Sequence, residues 1–239
     1  MKFLTIDTTT KVTALALSED GSLVGESFLH IDKTHSERLV PMLDHLLSAA
    51  GWELSVLDFI GVIRGPGSFT GIRIGLATAQ GLAQVLKIPL VGVLSLDALA
   101  WAACKRPEEV VVILDARKNE WYSASYRWNE AGQGPECFVP ARAIQPQELL
   151  AELNAGRDPV WLVGDAVAKA EEAIRSFLGS KALIPPDFIR LPRGAYAVRE
   201  VWRQWRQSGG AAAVTPFYIR RSEAEVNWVK KQEGLRNIP

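Results

Sequence analysis

The densest set of residues able to do chemistry is the run Arg64-Gly65-Pro66-Gly67-Ser68-Phe69-Thr70-Gly71-Ile72-Arg73-Ile74-Gly75. It follows the apolar stretch Phe59-Ile60-Gly61-Val62-Ile63 and leads into a small-residue-rich segment from Leu76 to Leu86. A strand, a tight turn and a helix therefore succeed one another, the basic unit of an α/β domain. Gly65 and Gly67 permit a positive φ, Pro66 fixes one dihedral, and Ser68 or Thr70 can cap the helix. Two readings stay open: a structural turn, or an anion site in which the free N–H groups of the helix start hold a phosphate. No Lys-Ser/Thr follows the last glycine, so this is not a Walker loop. Ser68 also lacks the GxSxG surroundings of an activated serine.

The other candidate groups are carboxylates, imidazoles and thiols. Asp7, followed by Thr8 and Thr9, and Asp115, followed by Ala116 and Arg117, each close an apolar strand-like run. Either they face one another as a carboxylate pair, or each holds its own turn, the commoner duty of a strand-end Asp. His35 heads a helix, but the residue one turn later is Leu39, and His45 is too far along to share an ion with it. A catalytic metal site therefore lacks its second ligand. Cys104 and Cys137 stand far apart, form no CxxC pair, and fit a reduced, cytoplasmic protein.

The positioning elements are legible from period and punctuation. Strands are expected at Phe3–Ile6, Val12–Ser18 and Leu23–Leu29, the last two joined by Glu19-Asp20-Gly21-Ser22. A helix begins at Thr34, where Thr34 and Glu37 make a capping-box pattern, and carries Leu39, Met42, Leu43, Leu46 and Leu47 at three- and four-residue spacing. Pro41 should bend it, and Gly51 should stop it. The glycine motif, its helix, a strand at Leu90–Leu94 and a helix over 95–104 complete a first lobe. Val110–Leu114 and Glu120–Trp128 then repeat the opening pattern. An extended piece around Val139 follows, then helices at Gln147–Leu153, 165–178 and 194–207 and a strand at Val160–Val163. The chain thus divides into an N-terminal lobe, 1–104, and a less regular C-terminal lobe, 105–239, a duplication at the level of a whole lobe.

Along the helix after the glycine motif, Gly71, Gly75, Ala79 and Ala83 recur every four residues and make a smooth stripe. That stripe fits either the lobe's own sheet or a helix of another subunit. Net charge is zero at 239 residues, but from residue 181 onward eleven Lys/Arg stand against five Asp/Glu. This basic third suits phosphate or an acidic partner, or else Arg199, Arg203 and Arg206 line a solvated helix face. A chief role in nucleic-acid binding would call for a basic chain overall. No apolar run reaches the length of a membrane span, and the strand pattern around Asp7 leaves no signal or transit peptide at the N-terminus.

The string GPGSFTGIRIG, with Leu4-Thr5-Ile6-Asp7-Thr8-Thr9 and His35-Ser36-Glu37, resembles the bacterial TsaB family, also called YeaZ. Asp115-Ala116-Arg117 and Pro216-Phe217-Tyr218-Ile219-Arg220 agree with it. The resemblance is strong over residues 1 to about 125. It implies the two-lobed α/β fold of actin, hexokinase and Hsp70, a duplicated ribonuclease H-like architecture. It implies a non-catalytic scaffold for the transfer of a threonylcarbamoyl group to the adenosine beside the anticodon of tRNA. The chemistry would lie in a TsaD-like transferase of which this chain is a degenerate paralogue, a TsaE-like ATPase would join, and tRNA would be met only indirectly.

Nucleotide-using relatives of that fold clamp phosphates in their two first-strand turns. Here Asp7, Thr8 and Thr9 offer hydroxyls without glycine, and Asp115, Ala116 and Arg117 offer neither, so these five mark at most a nucleotide or partner cleft. No cofactor is expected. The resemblance also turns the apolar stripe Leu39, Met42, Leu43 and Leu46, with Gly71, Gly75, Ala79 and Ala83, towards a partner helix pair, in a homodimer when the chain is alone. The alternatives are an independent ATP- or metal-using enzyme, kinase or metallopeptidase-like, and a direct tRNA-binding module.

Overall fold

The computed structural model describes residues 1–31, 34–131 and 133–220. Gly132, between the expected extended pieces at Glu120–Trp128 and around Val139, and the basic residues beyond Arg220 lie outside them. The first half gives β1 (Lys2–Asp7), β2 (Val12–Glu19), β3 (Ser22–His30), α1 (His35–Ala50), β4 (Phe59–Ile63), α2 (Phe69–Leu86), β5 (Leu90–Val93) and α3 (Ser95–Ala100). The second gives β6 (Glu109–Asp115), β7 (Trp121–Asn129), β8 (Gly134–Ile144), α4 (Pro146–Ala155), β9 (Val160–Val163), α5 (Asp165–Leu178), β10 (Ala182–Leu183), α6 (Asp187–Arg190) and α7 (Gly194–Ser208).

Two five-stranded sheets result, ordered β3-β2-β1-β4-β5 and β10-β9-β6-β7-β8. In each, three antiparallel strands are followed by two that add in parallel, so β1 corresponds to β6 and β4 to β9. This is the duplicated, two-lobed α/β architecture. The central strands β1 and β4 are nearly continuous apolar runs because both faces are covered. On one face Leu39, Met42, Leu43 and Leu46 of α1 and Ile72, Leu76, Ala79 and Ala83 of α2 join Leu4, Ile6, Ile60 and Val62. On the other, Ala197, Val198 and Val201 of α7 meet Phe3, Phe59 and Ile63, with Trp205 stacked on Phe59 at 4.1 Å. The last described helix thus completes the first sheet's core.

Some local expectations change. Thr34 stands at the N-cap of α1 but its side chain makes no capping bond, so the capping box does not form. The helix runs unbroken through Pro41, and Gly51 ends it in the left-handed conformation. The helix expected over 95–104 is α3 followed by a single tighter turn at Trp101–Ala103. Arg199 and Arg206 are exposed as a solvated face requires, whereas Arg203 turns inward to Glu200 at 2.7 Å. Glu200 is buried and also accepts from the Trp101 indole at 2.9 Å. Both cysteines are free.

Candidate functional site: an inter-lobe cleft

The glycine motif is fastened to the turn after β1. Ser68 caps α2 by accepting from the Gly71 N–H at 3.2 Å, and the Ser68 N–H donates to the Thr9 carbonyl at 2.6 Å. The Thr8 hydroxyl donates to the Gly71 carbonyl at 2.7 Å. A Cβ added at Gly67 would lie 2.2 Å from the Thr9 carbonyl oxygen, and one at Gly71 2.0 Å from that of Thr8. These glycines therefore serve backbone-to-backbone contact inside the protein. Gly65, followed by Pro66 across a cis peptide bond, is pressed on the Phe217 carbonyl in the same way. Asp7 is buried and its Oδ1 accepts from the Thr9 N–H at 2.9 Å and the Thr9 hydroxyl at 2.7 Å. Burial pushes its carboxyl up from the ordinary range, with the two Thr9 bonds opposing.

His35 closes the same corner. Its Nε2 lies 2.9 Å from the Thr10 carbonyl, which only accepts, so Nε2 carries the proton. Its Nδ1 then accepts from the Thr13 hydroxyl at 2.7 Å. Both ring nitrogens are committed to the protein. Among the described residues no group of three or more His, Cys, Asp or Glu is disposed to hold a metal ion.

The turn after β6 is built otherwise. Arg117, Lys118 and Asn119 have φ of 59°, 53° and 57°, three successive left-handed residues without a glycine. Each such residue costs on the order of 1 kcal/mol. Asp115 Oδ1 steadies the turn by accepting from the Arg117 N–H at 2.8 Å, and its other oxygen pairs with Lys169 of α5. Burial alone would raise the Asp115 carboxyl, but the Lys169 and Arg117 contacts outweigh it and hold it below its ordinary value. Asp165, the first residue of α5, accepts from the Asp115 N–H at 3.0 Å. Burial raises it to about 6. Gly164 makes this junction tight, since a Cβ there would meet the Ile113 carbonyl oxygen at 1.9 Å.

Between the two turns lies a cleft of ≈1060 Å³. Thr9, Ser68, Phe69 and Thr70 reach it from the first lobe, and Asp115, Arg117, Asp165 and Lys169 from the second. Asp7 is not among its lining residues, so Asp7 and Asp115 do not form a facing carboxylate pair. The segment 214–220 crosses the lobe junction. Gln80 donates to the Val214 carbonyl at 2.8 Å, Tyr218 stacks on Phe69 at 4.7 Å, and Arg220 reaches the Ala116 carbonyl at 3.2 Å and Glu120 at 2.6 Å.

A family model described as TsaD, tRNA N6-adenosine threonylcarbamoyltransferase, matches residues 29–228. The TsaB protein of Haemophilus influenzae, named for tRNA threonylcarbamoyladenosine biosynthesis, is 30% identical over 240 residues, covering 96% of this chain and 97% of that one. The chain belongs to the TsaB (YeaZ) family. The Bacillus subtilis TsaB is 29% identical over 236 residues, 98% of this chain and all of the relative. The solved structure of YeaZ from Pseudomonas aeruginosa superposes with a TM-score of 0.75 at 28% identity, covering 91% of this chain and 99% of that one.

Within this TsaB-family fold, the eight residues expected at a subunit interface take part in the first lobe's own packing. Leu39, Met42, Leu43, Leu46, Gly71, Gly75, Ala79 and Ala83 are all buried within the chain's own first lobe. A Cβ at Gly75 would meet the Thr8 hydroxyl at 2.4 Å. The physical reason is plain: α1 and α2 are amphipathic, and the sheet beneath them takes the apolar face. The large apolar side chains that α1 and α2 leave outside are Val40, 60% exposed, and Val85, 80% exposed, with Ala77 and Gly81 exposed beside the latter. Lys169 and Asp165 were missed as partners of Asp115. The one signal available was the Gly164-Asp165 pair at the end of β9.

Proposed function

We propose that this chain is a non-catalytic, organising subunit in the biosynthesis of threonylcarbamoyladenosine on tRNA, acting by pairing with a TsaD-like transferase. The observation that carries this reading is the closed turn after β1. The Thr8 hydroxyl is spent on the Gly71 carbonyl, and the Thr9 hydroxyl and N–H on Asp7, whereas phosphate transfer needs such donors turned outward. The domain of the transferase family is thus kept while a part that would do chemistry is used as structure. A TsaE-like ATPase would join the assembly, tRNA would be held mainly by the partner, and the chain alone would form homodimers in the cytoplasm.

The surface we assign to the pairing is the outward side of α1 and α2. Among the described residues nothing lies within 4 Å of a Cβ added at Gly81, so no contact among them explains a helix-weakening glycine there. With Ala77 one turn before it and the exposed Val85 one turn after, it leaves room for a second helix to approach. The test is co-purification with the host's TsaD-like protein, followed by a modification assay omitting each subunit in turn. Val85→Asp and Gly81→Leu should abolish association and modification while the melting curve stays near wild type. ATP hydrolysis by the pure chain, or full modification without it, would overturn the proposal.

A further inference from the structure

Connectivity joins the two lobes twice, between α3 and β6 and again between β10 and α7. The segment 214–220 crosses the junction a third time, on the wall of the cleft, where Tyr218 and Arg220 both line it. Its two ends are held very differently. The root belongs to the first lobe. Val214 is buried in that lobe's core, and its carbonyl accepts from Gln80 Nε2 at 2.8 Å. The Phe217 N–H donates to the Arg64 carbonyl at 2.8 Å, and Gly65 leaves the room in which the Phe217 carbonyl lies. Tyr218 stacks on Phe69, and its hydroxyl accepts from Arg73 Nε at 3.2 Å, while the Arg73 guanidinium lies 3.9 Å from the centre of the Phe69 ring. The tip belongs to the second lobe. Ile219, half-buried, joins the apolar cluster that holds Val112, Leu114 and Tyr122. Arg220 donates to the Ala116 carbonyl and pairs with Glu120, the two side chains being 31% and 32% exposed.

We propose that the segment 214–220 is a latch, fixed at its root and releasable at its tip, that holds the two lobes in their present relation across the cleft. Detaching the root would expose Val214 and strand the backbone groups bonded there. Detaching the tip breaks one partly exposed ion pair, one bond to a carbonyl and one partial apolar contact, and the ion pair is screened by salt. The tip therefore opens first, as a local event. The two covalent connections survive that opening and serve as the hinge. What the tip grips is the left-handed turn itself, since Ala116 precedes Arg117 and Glu120 follows Asn119. Loss of the tip frees that turn and lets the lobes part. The inference does not rest on the pairing role, because the isolated full-length chain should show it.

Double electron–electron resonance on that chain tests it, with nitroxides at Ser36→Cys and Ala173→Cys, exposed positions on α1 and α5, in a Cys104→Ser, Cys137→Ser background. An excess of unlabelled chain removes distances between copies. One narrow inter-lobe distance is expected for the parent at low salt. Ile219→Ser combined with Arg220→Ala should broaden it towards longer values and speed amide exchange over residues 116–120 about tenfold. Arg206→Gln, on the exposed side of α7, should change neither. Raising the salt should move the parent part of the way and leave the double variant where it is. Should the double variant melt early, Glu120→Gln decides. It breaks the ion pair from the second lobe's side, leaves the strap's own sequence intact, and should give the same changes in smaller measure. A distance and exchange rates unmoved by both sets of substitutions, or a parent already broad at low salt, would overturn the proposal.

Discussion

The turns after β1 and after β6 occupy matching places in the two halves, yet one is closed and the other open. After β1, Thr8, Thr9 and Thr10 are buried, and the glycine loop lies on their backbone. After β6, Arg117, Lys118 and Asn119 are exposed in a left-handed turn held by a carboxylate and its lysine. A duplicated fold supplies the same strand-end geometry twice. What is packed against each copy decides whether it becomes a closed staple or an open turn. The glycine loop supplies the packing in the first half, while in the second α5 brings charge instead.

The largest expected effect tests the staple. Gly71→Val places side-chain atoms where the Thr8 carbonyl already lies, and Gly75→Leu drives into the Thr8 hydroxyl. Each should cost roughly 3 kcal/mol or more, a fall of about 10 °C in Tm. A wild-type melting curve for either would show the turn to be looser than its contacts. Asp7→Ala comes next: it strands two buried donors of Thr9 at about 1–3 kcal/mol each, read as a drop in the urea midpoint at constant slope.

The third test separates the turns by pH. Asp165 is raised to about 6, so the folded state binds its proton more tightly than the unfolded state does. Its contribution is therefore most favourable below about pH 4 and is lost as pH rises towards and through 6. The raised carboxyl of Asp7 acts with the same sign, and the lowered one of Asp115 with the opposite sign, its stabilisation vanishing as pH falls below 4. Asp165→Asn should remove on the order of 2 kcal/mol of the decline between pH 4 and 7. An unchanged pH profile in that variant would refute the assignment. The smallest effect is expected from Asp115→Ala, about 1 kcal/mol, because its partner Lys169 is largely exposed. A cost equal to that of Asp7→Ala would erase the difference between the two turns.

Most of the elements could be read from the chain. Period-two and period-3.6 patterns act within a few residues, so β1, β2, α1 and α2 declare themselves, and Gly51 marks its own stop. The interface stripe shows where such reading ends. Gly71, Gly75, Ala79 and Ala83 share a face by spacing alone, but spacing does not say what that face meets. In this lobe it meets Thr8 and the core beneath α2. The open side of the same helix, at Ala77 and Gly81, carries a weaker pattern. In the second half, Lys169 lies 54 residues from Asp115, and nothing local ties them together.

The sequence by itself determined the order of most elements, the duplicated plan, the family and the need for glycine at 65–71, because dihedral preference and side-chain period are properties of neighbouring residues. Only the tertiary structure decided that those glycines press on Thr8, Thr9 and Phe217, and that α7 closes the first sheet. It also decided that Asp115 answers to Lys169 and that the segment 214–220 reaches from the glycine motif to the turn after β6. Those outcomes depend on distances between residues far apart in the chain, which are fixed when the sheets are covered and the two lobes meet.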